Sequence, residues 1–504
     1  MKKNLLIILL IIGVGLVSRL FYIGTNVFFF DGDEAIVGLM ALDILDGNLP
    51  LYFYGQNYGL AFFEAILISL GVLVFKTSML AIKIPMLILW LSSVTLMALT
   101  FFKILDKKLL FVILFISVLL FSPTWLVWSL KARGGYLSSF FFTSLIIFLS
   151  INYQKYNSLY FWPIIGLLSV FIFETQPLWL PGIIPVILFF LFEKNKKRKE
   201  FVKSAGLLII GASITYAFLF YLKMDLFVAW QTPSPKIMNS LASISNLPQV
   251  LIKTLGGNYF LSTSYEPSNS DYSFMFLFWF LITSVYIIFR LIKDKKLTIS
   301  TVFLISALFS LSGFLVKAEP RYLLPFFGFA LFMLVSVFAE LKLKGLRYAT
   351  LTLCCFTIMT GIYHLPNFKN YSFNNMSMTK VDSRISDDTK LMEILVRTLE
   401  ENNIKYVFAT NEFLQYQLNY LTDNKILTIG RKDRCRTPEN IPIVMKAYEE
   451  HSEQFAIIGY NFHYQYSGKL PTIGKKIFYL LRPDRKSLNS VGFFANEKDN
   501  ETGK

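Results

Sequence analysis

The stretch Leu5-Leu6-Ile7-Ile8-Leu9-Leu10-Ile11-Ile12-Gly13-Val14-Gly15-Leu16-Val17 stays apolar in character through Tyr22, and Phe30-Asp31-Gly32-Asp33-Glu34 follows shortly after. A run of about 20 apolar residues is what crosses ~30 Å of hydrocarbon. The three carboxylates therefore fall where lipid gives way to water. An ionised Asp near the bilayer centre costs at least ~2.5–3.5 kcal/mol, and clustered carboxylates repel one another even at the interface. The placement predicts that this charge is used. Lys2 and Lys3 precede the run, and no small-residue cleavage site interrupts it. It reads as a retained signal-anchor helix with its N-terminus in the cytoplasm.

The whole chain has the same character. Hydrophobic residues make up 54% of it and charged residues only 16%, against roughly 25% charged in a soluble domain. Apolar runs of membrane-spanning length recur from Leu5 to about Tyr363. The fold class predicted is a polytopic α-helical membrane protein of about 11 transmembrane helices. The net charge of +16, from 49 basic and 33 acidic residues, does not point to nucleic acid. Its cations sit in short links between apolar runs: Lys103, Lys107 and Lys108; Lys194, Lys196, Lys197, Arg198 and Lys199; Arg290, Lys293, Lys295 and Lys296; Lys342, Lys344 and Arg347. That is the positive-inside pattern, which sets orientation, and no basic face joins a soluble reader fold. Cys354 and Cys355 lie in an apolar run and Cys435 stands alone, so no disulfide framework exists.

Threading the chain from a cytoplasmic N-terminus, span one covers about 4–25 and leaves an outer loop at 26–79. In that loop the apolar residues between Asp33 and Asp46 suit an interfacial helix. Residues 60–75 carry Glu64, and counting them as a span would put Lys107 and Lys108 outside. They read as a second interfacial or re-entrant helix. The next spans are about 80–102, 109–128, 136–152, 158–175, 178–192 and 204–222, followed by a long outer loop at 223–272. Span eight ends near Arg290, nine at Lys317–Arg321, ten near Lys342 and eleven near His364. Every basic block then falls on the cytoplasmic side. The predicted transmembrane domain is 1–364.

From about Leu365 the composition turns polar and helical and strand-like segments alternate. Helices are predicted at 390–402, 411–421 and 438–451, and strands at 404–409, 426–429, 455–460 and 477–481. This is a small α/β module, 365–504, placed outside the membrane.

The chemistry-bearing residues gather at the predicted outer ends of the spans. Asp31, Asp33, Glu34, Gln56, Asn57, Tyr58 and Glu64 come from the first loop; Trp128, Lys131, Arg133 and Tyr136 from the second. Glu174, Gln176 and Trp179 come from the third, and Lys317, Glu319, Arg321 and Tyr322 from the fifth. Carboxylates to take a proton and cations to hold an anionic leaving group suit transfer from a lipid phosphate. Aromatic rings beside them suit a sugar and the interface. Each has a plainer role available: Asp33 as a helix cap, Arg321 and Arg133 as interface anchors, Lys317 as an anchor, and Pro177, Pro181 and Pro185 as bends. The three histidines show no ligand spacing.

Four elements together carry a family resemblance. Phe30-Asp31-Gly32-Asp33-Glu34-Ala35, with Gly38-Leu39-Met40-Ala41, resembles the first-loop signature of the GT-C glycosyltransferases related to protein O-mannosyltransferases and bacterial aminoarabinose–lipid A transferases. Leu49-Pro50-Leu51-Tyr52-Phe53-Tyr54-Gly55-Gln56-Asn57-Tyr58 with Glu64, and Ser129-Leu130-Lys131-Ala132-Arg133-Gly134-Gly135-Tyr136, are similar to loops of one bacterial branch. Glu319-Pro320-Arg321-Tyr322-Leu323-Leu324-Pro325 resembles the family's late element. The likeness spans about residues 15–330. It implies transfer of one sugar from a polyprenyl (undecaprenyl) monophosphate to a cell-envelope lipid, glycan or protein, with inversion and without metal or cofactor.

By the same resemblance Asp33 is the general base. Arg321, Lys131 and Arg133 are the cations for the phosphate, and Asp31, Glu34, Gln56, Tyr58, Glu64, Tyr136, Glu174 and Tyr322 are substrate-binding. The expected location is the bacterial inner (cytoplasmic) membrane, with the active site and C-terminal module outside. Peptide N-glycosylation is disfavoured because the Trp-Trp-Asp motif is absent. The rivals are a lipid or solute transporter, a membrane-anchored receptor, and a polymerase or ligase using a pyrophosphate-linked donor. A transporter would spread its ionisable groups along a midplane pathway, and a receptor leaves the acidic first loop unexplained.

Overall fold

Four helices open the chain: α1 (Lys2–Gly24), α2 (Gly32–Leu45), α3 (Phe62–Phe75) and α4 (Met79–Ile104). The computed structural model describes residues 2–24, 30–56, 59–153, 158–194, 197–224, 244–257, 270–342, 344–364, 388–430, 437, 439–460, 470–473, 477–491 and 493. Tyr58 and Asn57, and most of the predicted loop 223–272, lie outside them. Among the described residues six helices are long and apolar enough to cross a membrane, and six more apolar helices are shorter. The protein is a polytopic α-helical membrane protein with a small α/β module. At 14 residues α3 is too short for the ~20 that a crossing needs.

By contact density the chain divides into two units. The first holds residues 1–27, 86–131 and 135–380 and carries the bulk of the apolar helices. Its predicted span 109–128 is broken. Leu109–Leu120 ends, and Pro123 starts the separate helix Pro123–Trp128 because proline suits a first helical position and not an interior one. The predicted ninth span is interrupted at residues 311–312, between Ile299–Ser310 and Gly313–Val316, with no proline at the interruption. Helices Ser158–Thr175 and Arg198–Met224 meet through glycine on both sides. A Cβ on Gly166 would lie 2.1 Å from the Leu208 carbonyl oxygen, and one on Gly211 would lie 2.2 Å from that of Pro163. Small residues let helix backbones approach this closely in lipid.

The second unit holds 28–85, 132–134 and 381–504. Its C-terminal part is a five-stranded sheet of order β2-β1-β3-β5-β4, with β1 Tyr406–Ala409, β2 Leu427–Ile429, β3 Phe455–Tyr460, β4 Thr472–Ile473 and β5 Ile477–Leu481. β1 runs parallel to β2 and β3, whereas β5 is antiparallel to β3 and β4. Each parallel pairing needs a crossover, supplied by helices Glu412–Leu421 and Asn440–Glu450. Phe408, Ile429, Val444, Phe455, Ile457 and Phe478 fill the core against Asn440–Glu450 and the closing helix Arg485–Ser490.

Helix Glu412–Leu421 is buried on every side from Leu414 to Tyr420, polar residues included. One side faces the sheet, where the Asn419 amide donates to the Thr428 carbonyl (3.0 Å) and accepts from its N–H (2.7 Å). The other side lies on α2. Gln417 donates to the Phe30 carbonyl, and Tyr420 hydroxyl donates to the Ser78 carbonyl at 3.0 Å. Gly38 makes room for this docking, since a Cβ there would come within 2.6 Å of the Tyr420 ring. Gly38→Val is therefore expected to destabilise the protein by about 1–3 kcal/mol through overpacking. A lowered thermal midpoint of the purified protein would register it, and an unchanged midpoint would mean that the ring moves aside freely.

Candidate active site

The first turn of α2 is built by a reciprocal cap. Asp31, extended at φ −100° and ψ 169°, accepts from the Glu34 N–H at 2.9 Å, while the Glu34 carboxylate accepts from the Asp31 N–H at 3.1 Å. Both orphan donors are satisfied by side chains in this arrangement. The capping role thus falls to Asp31, not to Asp33, which sits one residue beyond Gly32 in the same turn. The positive end of the helix dipole favours a carboxylate there.

Arg133 binds the turn from the side. Its guanidinium pairs with the Asp33 carboxylate and reaches Asp31 at 3.5 Å. The Arg133 backbone N–H donates to Glu64, in the first turn of α3, at 2.9 Å. Glu34 also forms an ion pair with Lys83 of α4. Four carboxylates and two cations therefore share this part of the second unit. Asp31, Glu34 and Lys83 side chains are 0–2% exposed and Arg133 7%, whereas Asp33 is 21% exposed. Glu64 is wholly buried. Asp33 is the carboxylate of this group that reaches open space. Arg133 holds it and is itself held by Asp31 and Glu64, which is how a reactive group is kept in one geometry.

The Gln56 stretch folds back on itself beneath Arg133. Phe53 N–H bonds the Gly59 carbonyl (3.0 Å), Gln56 N–H bonds the Phe53 carbonyl (3.0 Å), and Tyr52 bridges Leu60. Gly134, at φ +65°, lies against the Phe53 ring, 3.1 Å from where its Cβ would stand. A left-handed backbone with that little room is a glycine position. Tyr54 hydroxyl donates to Asp43 in the last turn of α2. Burial, with Asp46 and Glu439 nearby, pushes the Asp43 carboxyl above the usual carboxylate range.

The remaining expected residues belong to the first unit. Lys131 is 2% exposed, and Tyr136 packs on Trp128 at 4.9 Å between ring centroids. Gly135, at φ +109°, opens helix Tyr136–Ile151 against Thr175, whose hydroxyl meets that of Ser139 at 2.6 Å. Glu174 is half-buried in the preceding turn. Arg321 forms an ion pair with Glu319 at 3.0 Å, its guanidinium carbon lies 5.3 Å from the Tyr322 ring centroid, and Lys317 pairs with the other Glu319 oxygen at 2.6 Å. Two cations thus share one carboxylate on this turn. Among the described residues no three His, Cys, Asp or Glu are grouped to hold a metal ion.

Arg133, for which the motif implied a phosphate, is found on the carboxylates. Lys83 was not among the sequence candidates, although a lone lysine inside an apolar helix is a functional signal in membrane proteins. Arg19 of α1 is a second such cation, wholly buried, 4.3 Å from the Trp90 ring centroid and 3.4 Å from Ser129 Oγ.

The described residues form a polytopic helical membrane protein with an acidic turn after its first helix and a C-terminal α/β module, and a comparison with solved structures finds the same fold. The chain is similar to ArnT from Cupriavidus metallidurans in its crystal structure bound to undecaprenyl phosphate, with a TM-score of 0.58 and 10% identity, covering 95% of this chain and 98% of that one. The apo crystal structure of the same protein aligns with a TM-score of 0.48 and 9% identity, covering 94% of this chain and 97% of that one. No protein-family model and no curated protein matches the chain. The chain shares the fold of ArnT.

Proposed function

We propose that this protein is an inverting membrane glycosyltransferase that moves one sugar from a polyprenyl monophosphate to a hydroxyl of a cell-envelope acceptor. The observation that carries the reading is Asp33, the partly open carboxylate of an otherwise buried charge cluster, gripped by Arg133. Asp33 takes the acceptor hydroxyl proton as that oxygen attacks the anomeric carbon. The bond from that carbon to the phosphate oxygen breaks, and polyprenyl phosphate leaves with the electron pair. Attack opposite the leaving group inverts the anomeric centre. Arg321 and Lys131 are the cations assigned to the leaving phosphate; Arg binds such an oxyanion bidentately. The undecaprenyl phosphate bound in ArnT is the lipid this reading expects here.

The reaction is assigned to the outer face of the cytoplasmic membrane. The catalytic region is assigned to 1–364 and the module at 365–504 to its support. Tyr136, Glu174, Tyr322, Gln56 and Tyr58 are the proposed contacts for sugar and acceptor. Mass spectrometry of envelope glycolipids and glycoproteins from a deletion strain tests the function. A glycan that loses one sugar, restored by the wild-type gene and not by Asp33→Asn, supports it; an unchanged envelope rejects it. For Arg321, the alanine variant is expected to impair donor use by about tenfold or more and the lysine variant by less, since one charge-assisted contact is worth ~1.5–3 kcal/mol. Equal donor use by wild type and both variants would exclude the phosphate role.

A further inference from the structure

The short helix Leu247–Leu255, inside the predicted long loop, is tied to the turn that carries Arg321. Thr254 Oγ1 donates one proton shared between the Val250 carbonyl (2.7 Å) and the Pro320 carbonyl (3.1 Å). Thr124 Oγ1 in turn lies 2.7 Å from the Thr254 carbonyl and 3.0 Å from that of Leu255. Both threonines are buried, and the Thr254–Pro320 and Thr124–Thr254 contacts join residues 66 and 130 positions apart. Val250, Phe314 and Leu323 close an apolar cluster beneath them. Ser273 anchors the helix from another side through the Ile252 carbonyl at 2.7 Å. Gly257, at φ +86°, brings the chain against Pro123, whose carbonyl oxygen would be 2.8 Å from a Cβ there.

The Pro320 carbonyl belongs to the peptide whose other end is the Arg321 nitrogen. Proline fixes φ of residue 320 by its ring. A hydrogen bond to its carbonyl fixes the orientation of the following peptide plane as well. Together they set where the Arg321 side chain departs from the backbone. Glu319 then holds the guanidinium from one side at 3.0 Å.

We propose that Thr254, supported by Thr124, is a positioning residue that presents Arg321 to the monophosphate of a polyprenyl lipid. This rests on the phosphate role of Arg321 proposed above. Its signature is a loss specific to the phosphate, not to the lipid tail, and restored by any side chain that keeps the hydroxyl.

Binding of undecaprenyl phosphate and of the uncharged polyprenol to the full-length protein in nanodiscs tests it. Thr254→Val, which keeps shape and removes the hydroxyl, should weaken undecaprenyl phosphate binding by about fivefold. Thr254→Ser should bind as wild type does, and polyprenol binding should not change in either. If Arg321→Ala weakens binding and Thr254→Val does not, the inference is overturned while the phosphate role stands. Equal losses for phosphate and polyprenol would make Thr254 merely structural and also overturn it. If the wild type does not bind undecaprenyl phosphate, the underlying reading fails and takes this one with it. Should Thr254→Val not fold, Thr124→Val decides by the same outcomes.

Discussion

Asp33→Asn is expected to lower sugar transfer by about 10²–10⁴-fold, the range that a positioned general base supplies. The substitution keeps size and shape and removes the ability to accept a proton. Because Asp31 caps α2 and Glu34 completes the box, Asn at 33 leaves the helix start intact. Asn still accepts one hydrogen bond from Arg133. The loss should therefore appear in kcat, with donor binding and thermal stability close to wild type. Measurement of single-turnover rate and thermal midpoint on the same preparation separates the possibilities. Wild-type turnover would remove Asp33 from the mechanism, and an unfolded variant would assign it to the framework.

Lys83→Met is expected to cost about 3–5 kcal/mol of stability, the usual penalty for leaving one partner of a buried ion pair without the other. Methionine replaces the aliphatic volume but leaves the Glu34 charge in a wholly buried site. The loss should largely disappear in Lys83→Met combined with Glu34→Gln. Glutamine is neutral and still serves the third helical position of a capping box. A thermal midpoint far below wild type for the single variant and close to it for the double variant would establish the pairing. Equal midpoints in the two variants would show that the lysine matters for some other contact.

Much of the framework was legible because its signals are local. Apolar run length located most of the helices, and the alternation of helical and strand-like segments in the polar C-terminal part pointed to the α/β module, whose predicted strands at 455–460 and 477–481 match β3 and β5. The break in the span ending near 128 follows from Pro123, a residue that reads as punctuation once length is set aside, whereas Gly313 lets the chain pass the Tyr322 carbonyl, 2.2 Å from where its Cβ would stand. The acidic turn also stood out, and the spacing of Asp31 and Glu34 is itself the capping signature that distinguishes Asp31 from Asp33.

The partners of that turn were less legible. Lys83 lies 49 positions from Glu34 and Arg133 lies 100 from Asp33, distances that no helical or strand period links. Gln417, Asn419 and Tyr420 read as the polar face of a surface helix. They are buried because their amides and hydroxyl meet backbone groups of β2 and of the first loop, the latter 387 and 342 residues away. Buried polar groups need partners, but a sequence does not say which partners. The two-residue β4 was too short to leave a pattern.

The central claim is that one sugar leaves a monophosphate lipid through proton removal at Asp33. The most direct test is to supply undecaprenyl phosphate carrying a labelled sugar to membranes of a deletion strain containing either wild type or Asp33→Asn. The account predicts that with wild type the label moves to an envelope acceptor with inverted anomeric configuration and one undecaprenyl phosphate is released per sugar, while the variant does neither. Transfer at equal rates by both proteins, or movement of label only from a pyrophosphate-linked lipid, would contradict it.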